Sequence, residues 1–119
     1  MDQKLRYHLS IRLYGEDKAF GPGVAQLLRG IDACGSLQGA AQAMNMAYSK
    51  AWKVMKNAER ELGFALTDRE SGGKDGGGSR LTPQARTLLA RYDAFSGKIR
   101  QAADEAFAEY FAPGWMEEE

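Results

Sequence analysis

Leu5, Tyr7, Leu9, Ile11 and Leu13 alternate with Arg6, His8, Ser10 and Arg12 near the start of the chain. A period of two is the signature of a half-buried strand, whose successive side chains point to opposite faces. Gly15-Glu16-Asp17-Lys18 then reads as a turn, and Phe20-Gly21-Pro22-Gly23 as a break before the period changes. Pro22 suits the first turn of a helix, where its missing N–H is not needed. Val24, Leu27, Leu28 and Ile31 recur at i, i+3, i+4 and i+7, which predicts an amphipathic helix stopping near Gly35. Cys34, one turn beyond Ile31, reads as a small buried apolar residue.

Ser36 is a suitable N-cap for a second, short helix with Leu37, Ala40, Ala41 and Met44 on one face. Ala40 and Ala41 are small enough for another helix to cross closely over them. Asn45 tolerates the left-handed conformation of a tight turn. A third helix is predicted from about Ala47 to Leu62, ending at Gly63. The stretches Phe64–Glu70 and Arg80–Thr82 flank Ser71–Ser79, where five glycines in seven positions forbid a helix and can close a long hairpin. Thr82 and Pro83 open a last helix as N-cap and first residue. Its apolar positions Ala85, Leu88, Tyr92, Phe95, Ile99, Ala102 and Ala106 alternate at spacings of three and four, a heptad-like seam. From Pro83 to Tyr110 at ~1.5 Å per residue it spans roughly 42 Å, longer than a small domain is wide. Such a seam is expected to bury itself on a second copy, with Leu88, Tyr92, Phe95 and Ile99 as the dimerising residues. Gly97 costs about 1 kcal/mol of helix propensity and marks a bend or a close approach. The expected fold is mostly helical with a small antiparallel sheet. Its expected divisions are 1–82 as a domain, 83–110 as the long helix and 111–119 as an acidic tail.

The third helix carries the chemistry. At ~100° per residue, Ala47, Tyr48, Ala51, Val54, Met55, Ala58 and Leu62 share one arc, with Trp52 at its edge. Ser49, Lys50, Lys53, Lys56, Asn57 and Arg60 share the opposite one, and Glu59 and Glu61 fall outside it. Lys and Arg neutralise phosphates and read guanine edges, and Asn can pair with adenine, so this stripe has what major-groove docking requires. By itself a Lys-rich stripe is more often simply a solvated face. Its setting changes that balance: a short capped helix, a tight turn and a longer basic helix make a helix-turn-helix, and the glycine-rich hairpin stands where a wing would. Ser49, Lys50, Lys53 and Asn57 are the candidate base readers. Lys56, Arg60, Lys74 and Arg80 are the candidate phosphate contacts, with Ser36 added because its helix start can face a phosphate. Tyr48 and Trp52 read as core before base-stacking groups, and Tyr48 is kept among the DNA-facing candidates.

Composition sharpens this reading. At 119 residues, 44% hydrophobic and 27% charged, the chain is expected to be one ordinary globular domain. The formal net charge is zero, but it is unevenly placed. Residues 1–100 hold all sixteen Lys and Arg against ten acids, a net of +6, and residues 101–119 hold the other six acids. A basic body suits an anionic partner. No apolar run reaches bilayer length and no signal-peptide layout opens the chain, so the expected place is the cytoplasm, on the nucleoid when DNA is bound.

The stretches Gly35-Ser36-Leu37, Gly39-Ala40-Ala41, Met46-Ala47-Tyr48-Ser49-Lys50-Ala51-Trp52, Gly72-Gly73-Lys74-Asp75-Gly76-Gly77-Gly78 and Leu81-Thr82 together resemble the amino-terminal domains of ModE (molybdate-responsive) and LysR-type regulators. The resemblance is nearest to the ModE type and runs from roughly Gly21 to Tyr92. It implies a winged helix-turn-helix with a recognition helix beginning near Tyr48 and a dimerising helix after the wing. ModE regulators usually carry a carboxy-terminal molybdate-binding region. This chain ends at Glu119, soon after the long helix, so molybdate sensing is not carried over and any signal is expected from a separate sensor protein or effector.

Two other classes compete with this reading. Among residues 72–78 there is no GxGxxG register, and Lys74 lacks the flanking residues of a P-loop. One His (His8, expected at the surface) and one Cys cannot make a catalytic triad or a metal set, so no enzyme, cofactor or metal is expected. The second class keeps the fold and changes the partner: a winged helix that docks a protein, or a non-specific architectural DNA binder. The wing itself reads either as a DNA-touching tip or as a mobile hairpin touching nothing.

Overall fold

The computed structural model describes residues 5–69 and 78–117. In chain order it contains β1 (Leu13–Tyr14), β2 (Lys18–Phe20), α1 (Pro22–Cys34), α2 (Leu37–Ala43), α3 (Tyr48–Leu62), β3 (Thr67–Arg69), β4 (Ser79–Leu81) and α4 (Pro83–Tyr110), then a short 3-10 turn at Trp115–Glu117. The strands form two separate antiparallel pairs, β1 with β2 and β3 with β4. In the second pair Thr67 faces Leu81, Asp68 faces Arg80 and Arg69 faces Ser79.

The local punctuation predicted from sequence is in place. Gly35 and Gly63 close α1 and α3 in the left-handed conformation, at φ 83° and 85°. Asn45 is the single non-glycine described with positive φ, at 55°, in the turn between α2 and α3. Ser36 Oγ accepts from the Gly39 amide at 2.9 Å, and Thr82 Oγ1 accepts from the Ala85 amide at 3.0 Å. Each supplies a partner to one of the donors that a helix start leaves free.

The core is built on one side of α1. Leu27, Leu28 and Ile31 are buried with Phe20 from β2 and Leu66 ahead of β3, and Ala51, Met55 and Ala58 of α3 close over them. Burying each large aliphatic or aromatic side chain contributes about 1.5–3 kcal/mol, so this cluster dominates the hydrophobic term. The α1–α2 crossing depends on small residues: a Cβ added to Gly30 would lie 2.7 Å from Ala40 Cβ.

Three expectations are corrected. The alternating segment at the start is not a strand before Leu13: Leu5, Arg6, Tyr7 and His8 are exposed, and the chain runs beside α4. There Tyr7 packs its ring on Phe107 with centroids 5.1 Å apart, and its hydroxyl donates to Asp104. The alternation therefore serves contacts with a helix, and the strand proper starts where Leu13 can pair with Phe20. Cys34 is exposed, because α1 ends at that residue and α2 departs from the turn beside it. Tyr48 and Trp52 are each 48% exposed, since that flank of α3 borders an open groove shared with Leu37 and Gln38 of α2 and with Thr67 and Ser79 of the second hairpin.

The first three turns of α4 are held to the body. Ala85 is buried, Tyr92 meets Phe20 edge-on with centroids 4.9 Å apart, and the Tyr92 hydroxyl donates to the Ile11 carbonyl at 2.7 Å. Arg86 Nη2 to Asp32 Oδ1 at 3.0 Å, and the Arg29–Asp93 pair, join α4 to α1. Beyond that point the helix projects, and the molecule is 67 Å in its longest dimension. A Cβ built at Gly97 would meet nothing within 4 Å and α4 continues through it, so the close approach expected there does not occur within the chain.

Candidate nucleic-acid interface

α3 is set by its apolar face. Ala51, Met55 and Ala58 are buried, which leaves Ser49, Lys50, Lys53, Lys56, Asn57 and Arg60 exposed on the other side. The helix start is fixed by the preceding turn, in which the Met46 amide donates to the Ala41 carbonyl at 2.9 Å. Thus α2, the turn at Asn45 and α3 form one rigid bracket carrying a cationic face. Among the described residues, no acidic side chain lies on that face.

The two acids of α3 have other tasks, which the residue pattern did not reveal. Glu59 Oε2 accepts from the Leu66 amide at 2.7 Å, where the chain enters β3. Glu61 Oε1 accepts from the Asp17 amide at 3.1 Å, in the β1–β2 turn. At ~100° per residue the two carboxylates leave the helix on opposite flanks of the polar face. Each is turned into the scaffold and satisfied there, which removes two negative charges from the surface an anion would approach. The available signal was two glutamates, two residues apart, in a helix otherwise rich in cations.

The candidates do not all sit alike. Ser49, Lys50, Lys53 and Asn57 share the open face, and among the described residues no hydrogen bond or ion pair restrains their side chains. Lys56 leans toward the wing side, with Nζ 3.3 Å from Glu59 Oε1 and 5.6 Å from the centre of the Trp52 ring. Arg60 Nε is 3.9 Å from Glu61 Oε2. Such exposed pairs are worth about 0–1 kcal/mol and yield readily to a phosphate. Arg80 is exposed on β4, across the ladder from Asp68. Ser36 is the cap of α2, half-buried, with Oγ engaged by Gly39. Lys74 lies outside the described residues, together with most of the glycine-rich stretch. What is described of the hairpin is its base, where the Ser79 amide donates to the Gly35 carbonyl at 2.8 Å and the Thr82 amide to Leu66 at 3.0 Å. These bonds fix the wing to the α1–α2 corner and hence to α3.

Of the four residues expected to dimerise, Tyr92 is only 7% exposed and occupied within its own protomer, and Leu88 is half-buried beside it. Phe95 at 50% and Ile99 at 39% remain open on the projecting part of α4. Among the described residues no three His, Cys, Asp or Glu side chains converge as a metal set, and no helix is long and apolar enough to cross a membrane.

Comparison with known proteins agrees with this geometry. The chain is 38% identical over 72 residues to the transcriptional regulator ModE of Haemophilus influenzae, covering 60% of this chain and 28% of that protein. It is 42% identical over 64 residues to the molybdenum transport protein ModE of Herbaspirillum seropedicae, covering 54% of this chain and 24% of that one. Against the DNA-binding transcriptional dual regulator ModE of Escherichia coli K12 it is 30% identical over 88 residues, covering 74% and 33%. The chain thus spans between 24% and 38% of the length of these curated relatives and of their kin. The fold superposes on the CbnR DNA-binding domain from its complex with DNA, with a TM-score of 0.58 at 17% identity, covering 73% of this chain and 94% of that one. It also matches the BenM DNA-binding domain in complex with its benA site 1 DNA, with a TM-score of 0.56 at 17% identity, covering 76% and 96%. The profile of bacterial regulatory helix-turn-helix proteins of the lysR family matches residues 25–86. That span holds most of α1, all of α2, the turn at Asn45, the cationic α3 and the base of the wing, and on it the chain belongs to the lysR family of bacterial regulatory helix-turn-helix proteins, with relatives of the ModE type.

Proposed function

We propose that the chain is a sequence-specific transcriptional regulator that binds a near-palindromic DNA site as a homodimer, with α3 in the major groove. The observation that carries this reading is the cationic, acid-free face of α3, held by α2 and the Asn45 turn so that it points away from the core. Ser49, Lys50, Lys53 and Asn57 read base edges, with Tyr48 at the entrance. Lys56, Arg60, Lys74 and Arg80 neutralise phosphates, and Ser36 adds a weaker contact. The second copy docks on the outer part of α4, where Phe95 and Ile99 are open. Tyr92 takes no part in that seam, being already buried. Two recognition helices then enter successive major grooves about one turn apart, roughly 34–36 Å.

The test is selection of genomic DNA fragments on the purified protein at near-physiological salt, followed by sequencing. Recovery of a few palindromic upstream regions supports the proposal. Even retention of all fragments replaces it with a non-specific architectural binder, and no retention replaces it with a winged helix that docks a protein.

A further inference from the structure

α3 lies between two hairpins. On one flank Glu59 holds the entry to β3, and Leu37, Gln38, Thr67 and Ser79 line the groove between helix and wing. On the other flank Glu61 holds the β1–β2 turn through the Asp17 amide. Gly15 lies so near that a Cβ there would be 2.9 Å from Glu61 Oε1. The groove on this second flank is lined by Asn57 and Arg60 of α3 together with Arg12, immediately ahead of β1, and Asp17 and Lys18 of the hairpin. Asn57 and Arg60 belong to the polar face, so this groove opens on the same side as the proposed DNA interface. It gathers three cations against one carboxylate, because Glu61 is turned inward at 11% side-chain exposure and Glu16 at the turn is not among its lining residues. Among the described residues Lys18 has no ion-pair partner, and Arg12 is bonded only to Ser10 Oγ, at 2.6 Å. The hairpin precedes residues 25–86, so the family match says nothing of it.

We infer that β1–β2 is a second wing, whose Arg12 and Lys18, with Arg60, bind the phosphates of the duplex on the side of α3 opposite the glycine-rich hairpin. The inference rests on the reading of α3 as the recognition helix. Phosphate oxygens are the matching ligand because the groove offers spaced cationic heads beside a base-reading helix, and such contacts fix register without reading sequence. The bonds from Glu59 and Glu61 set both hairpins relative to one helix, so the three elements meet DNA as a unit. Asp17 is the single acid in the groove, and its repulsion is outweighed by the three cations around it.

The experiment measures binding to duplexes recovered by selection from a random pool, by fluorescence anisotropy across a salt series. It compares the unmodified chain, the Arg12→Gln/Lys18→Gln double variant, the charge-matched Arg91→Gln/Lys98→Gln control on α4, and Lys53→Gln. Each lost phosphate contact should flatten the log-affinity against log-salt slope by about 0.9, so the hairpin double variant, which removes two contacts from each copy of the dimer, should lose about 3.6 and bind on the order of 100–1,000-fold more weakly at 0.15 M salt. Hydroxyl-radical footprinting should show protection lost on the same single flank of each half-site, with the α4 control unchanged in both assays. An unaltered slope and footprint in the hairpin variant, alongside weakened binding by Lys53→Gln, overturns the second wing and leaves the recognition helix standing. Equal losses in the hairpin variant and the α4 control overturn it too, since net charge alone would explain them. Absence of DNA binding by the unmodified chain at any salt overturns both readings together.

Discussion

Gly30→Ala places a methyl group where α1 crosses α2, and its cost can be worked from the geometry. The new Cβ would lie 2.7 Å from Ala40 Cβ and 3.1 Å from Ala40 Cα. Carbon atoms rest at about 3.5–4.0 Å, so the helices must part by nearly 1 Å. No side chain can rotate out of the way, because an alanine methyl is fixed by its backbone. Overpacking of this kind costs about 1–3 kcal/mol, and a contact against main-chain atoms belongs at the upper end. The substitution also gains about 1 kcal/mol of helix propensity, leaving a net loss of about 2 kcal/mol. Gly97→Ala is the matched comparison, since it also lies inside a helix but has nothing within 4 Å. It should gain about 0.5–1 kcal/mol. Urea and thermal unfolding followed by circular dichroism read both variants, with Gly30→Ala melting lower by roughly 6–12 °C and Gly97→Ala higher by a few degrees. A Gly30→Ala protein as stable as its parent would refute the close crossing, and with it the placement of the helix-turn-helix bracket on α1.

Further outcomes follow from other contacts. Thr82→Val keeps the shape but removes the acceptor for the Ala85 amide and the donor to the Ala65 carbonyl, 2.8 Å away. It should cost about 2–3 kcal/mol by chemical denaturation, where a cost under about 0.5 kcal/mol would mean the cap is idle. Tyr7 is held above its ordinary phenol value of 10.0, first by its hydrogen bond to Asp104 and then by desolvation and the charge of that carboxylate. A raised folded value means that this contact stabilises below pH 10 and is lost as pH rises through the folded value. The ultraviolet difference titration between parent and Tyr7→Phe should therefore place this phenol above 10, and Asp104→Asn should bring it down; no change with Asp104→Asn would remove the contact. For the seam, Phe95→Asp with Ile99→Asp should shift a sedimenting dimer to monomer at micromolar concentration without altering the far-ultraviolet spectrum. A dimer persisting in that variant would place the interface elsewhere.

What the sequence disclosed was local. The capping and turn roles of Ser36, Thr82, Gly35, Asn45 and Gly63 are each played within four residues of themselves, so the residue type and its offset were enough to place four helices and their ends. The span of α4 followed from Pro83 and a seam that repeats without interruption. The pattern misled where a side chain's partner is remote in sequence. Tyr7 alternates like a strand residue, but its ring meets Phe107 and its hydroxyl meets Asp104. Tyr92 fits the dimer seam by spacing, yet it is taken by Phe20 and the Ile11 carbonyl, contacts that depend on where β2 and the preceding chain pass. Tyr48 and Trp52 lie at the wheel's apolar edge, and only the open groove between α3, α2 and the second hairpin decides that they stay half-exposed. For the same reason Glu59 and Glu61 could be seen to leave the cationic face, but not to hold the two hairpins against it.

Dimethyl sulfate protection of a selected duplex shows whether the cationic face of α3 lies in the major groove. Guanine N7, the atom methylated, is exposed only in that groove. Two patches of protected guanines are expected about one helical turn apart, roughly 10–10.5 base pairs, with protection lost at one guanine in each patch in Lys53→Ala. Tight binding with every guanine N7 still reactive, or protection indifferent to Lys53→Ala, would contradict that placement.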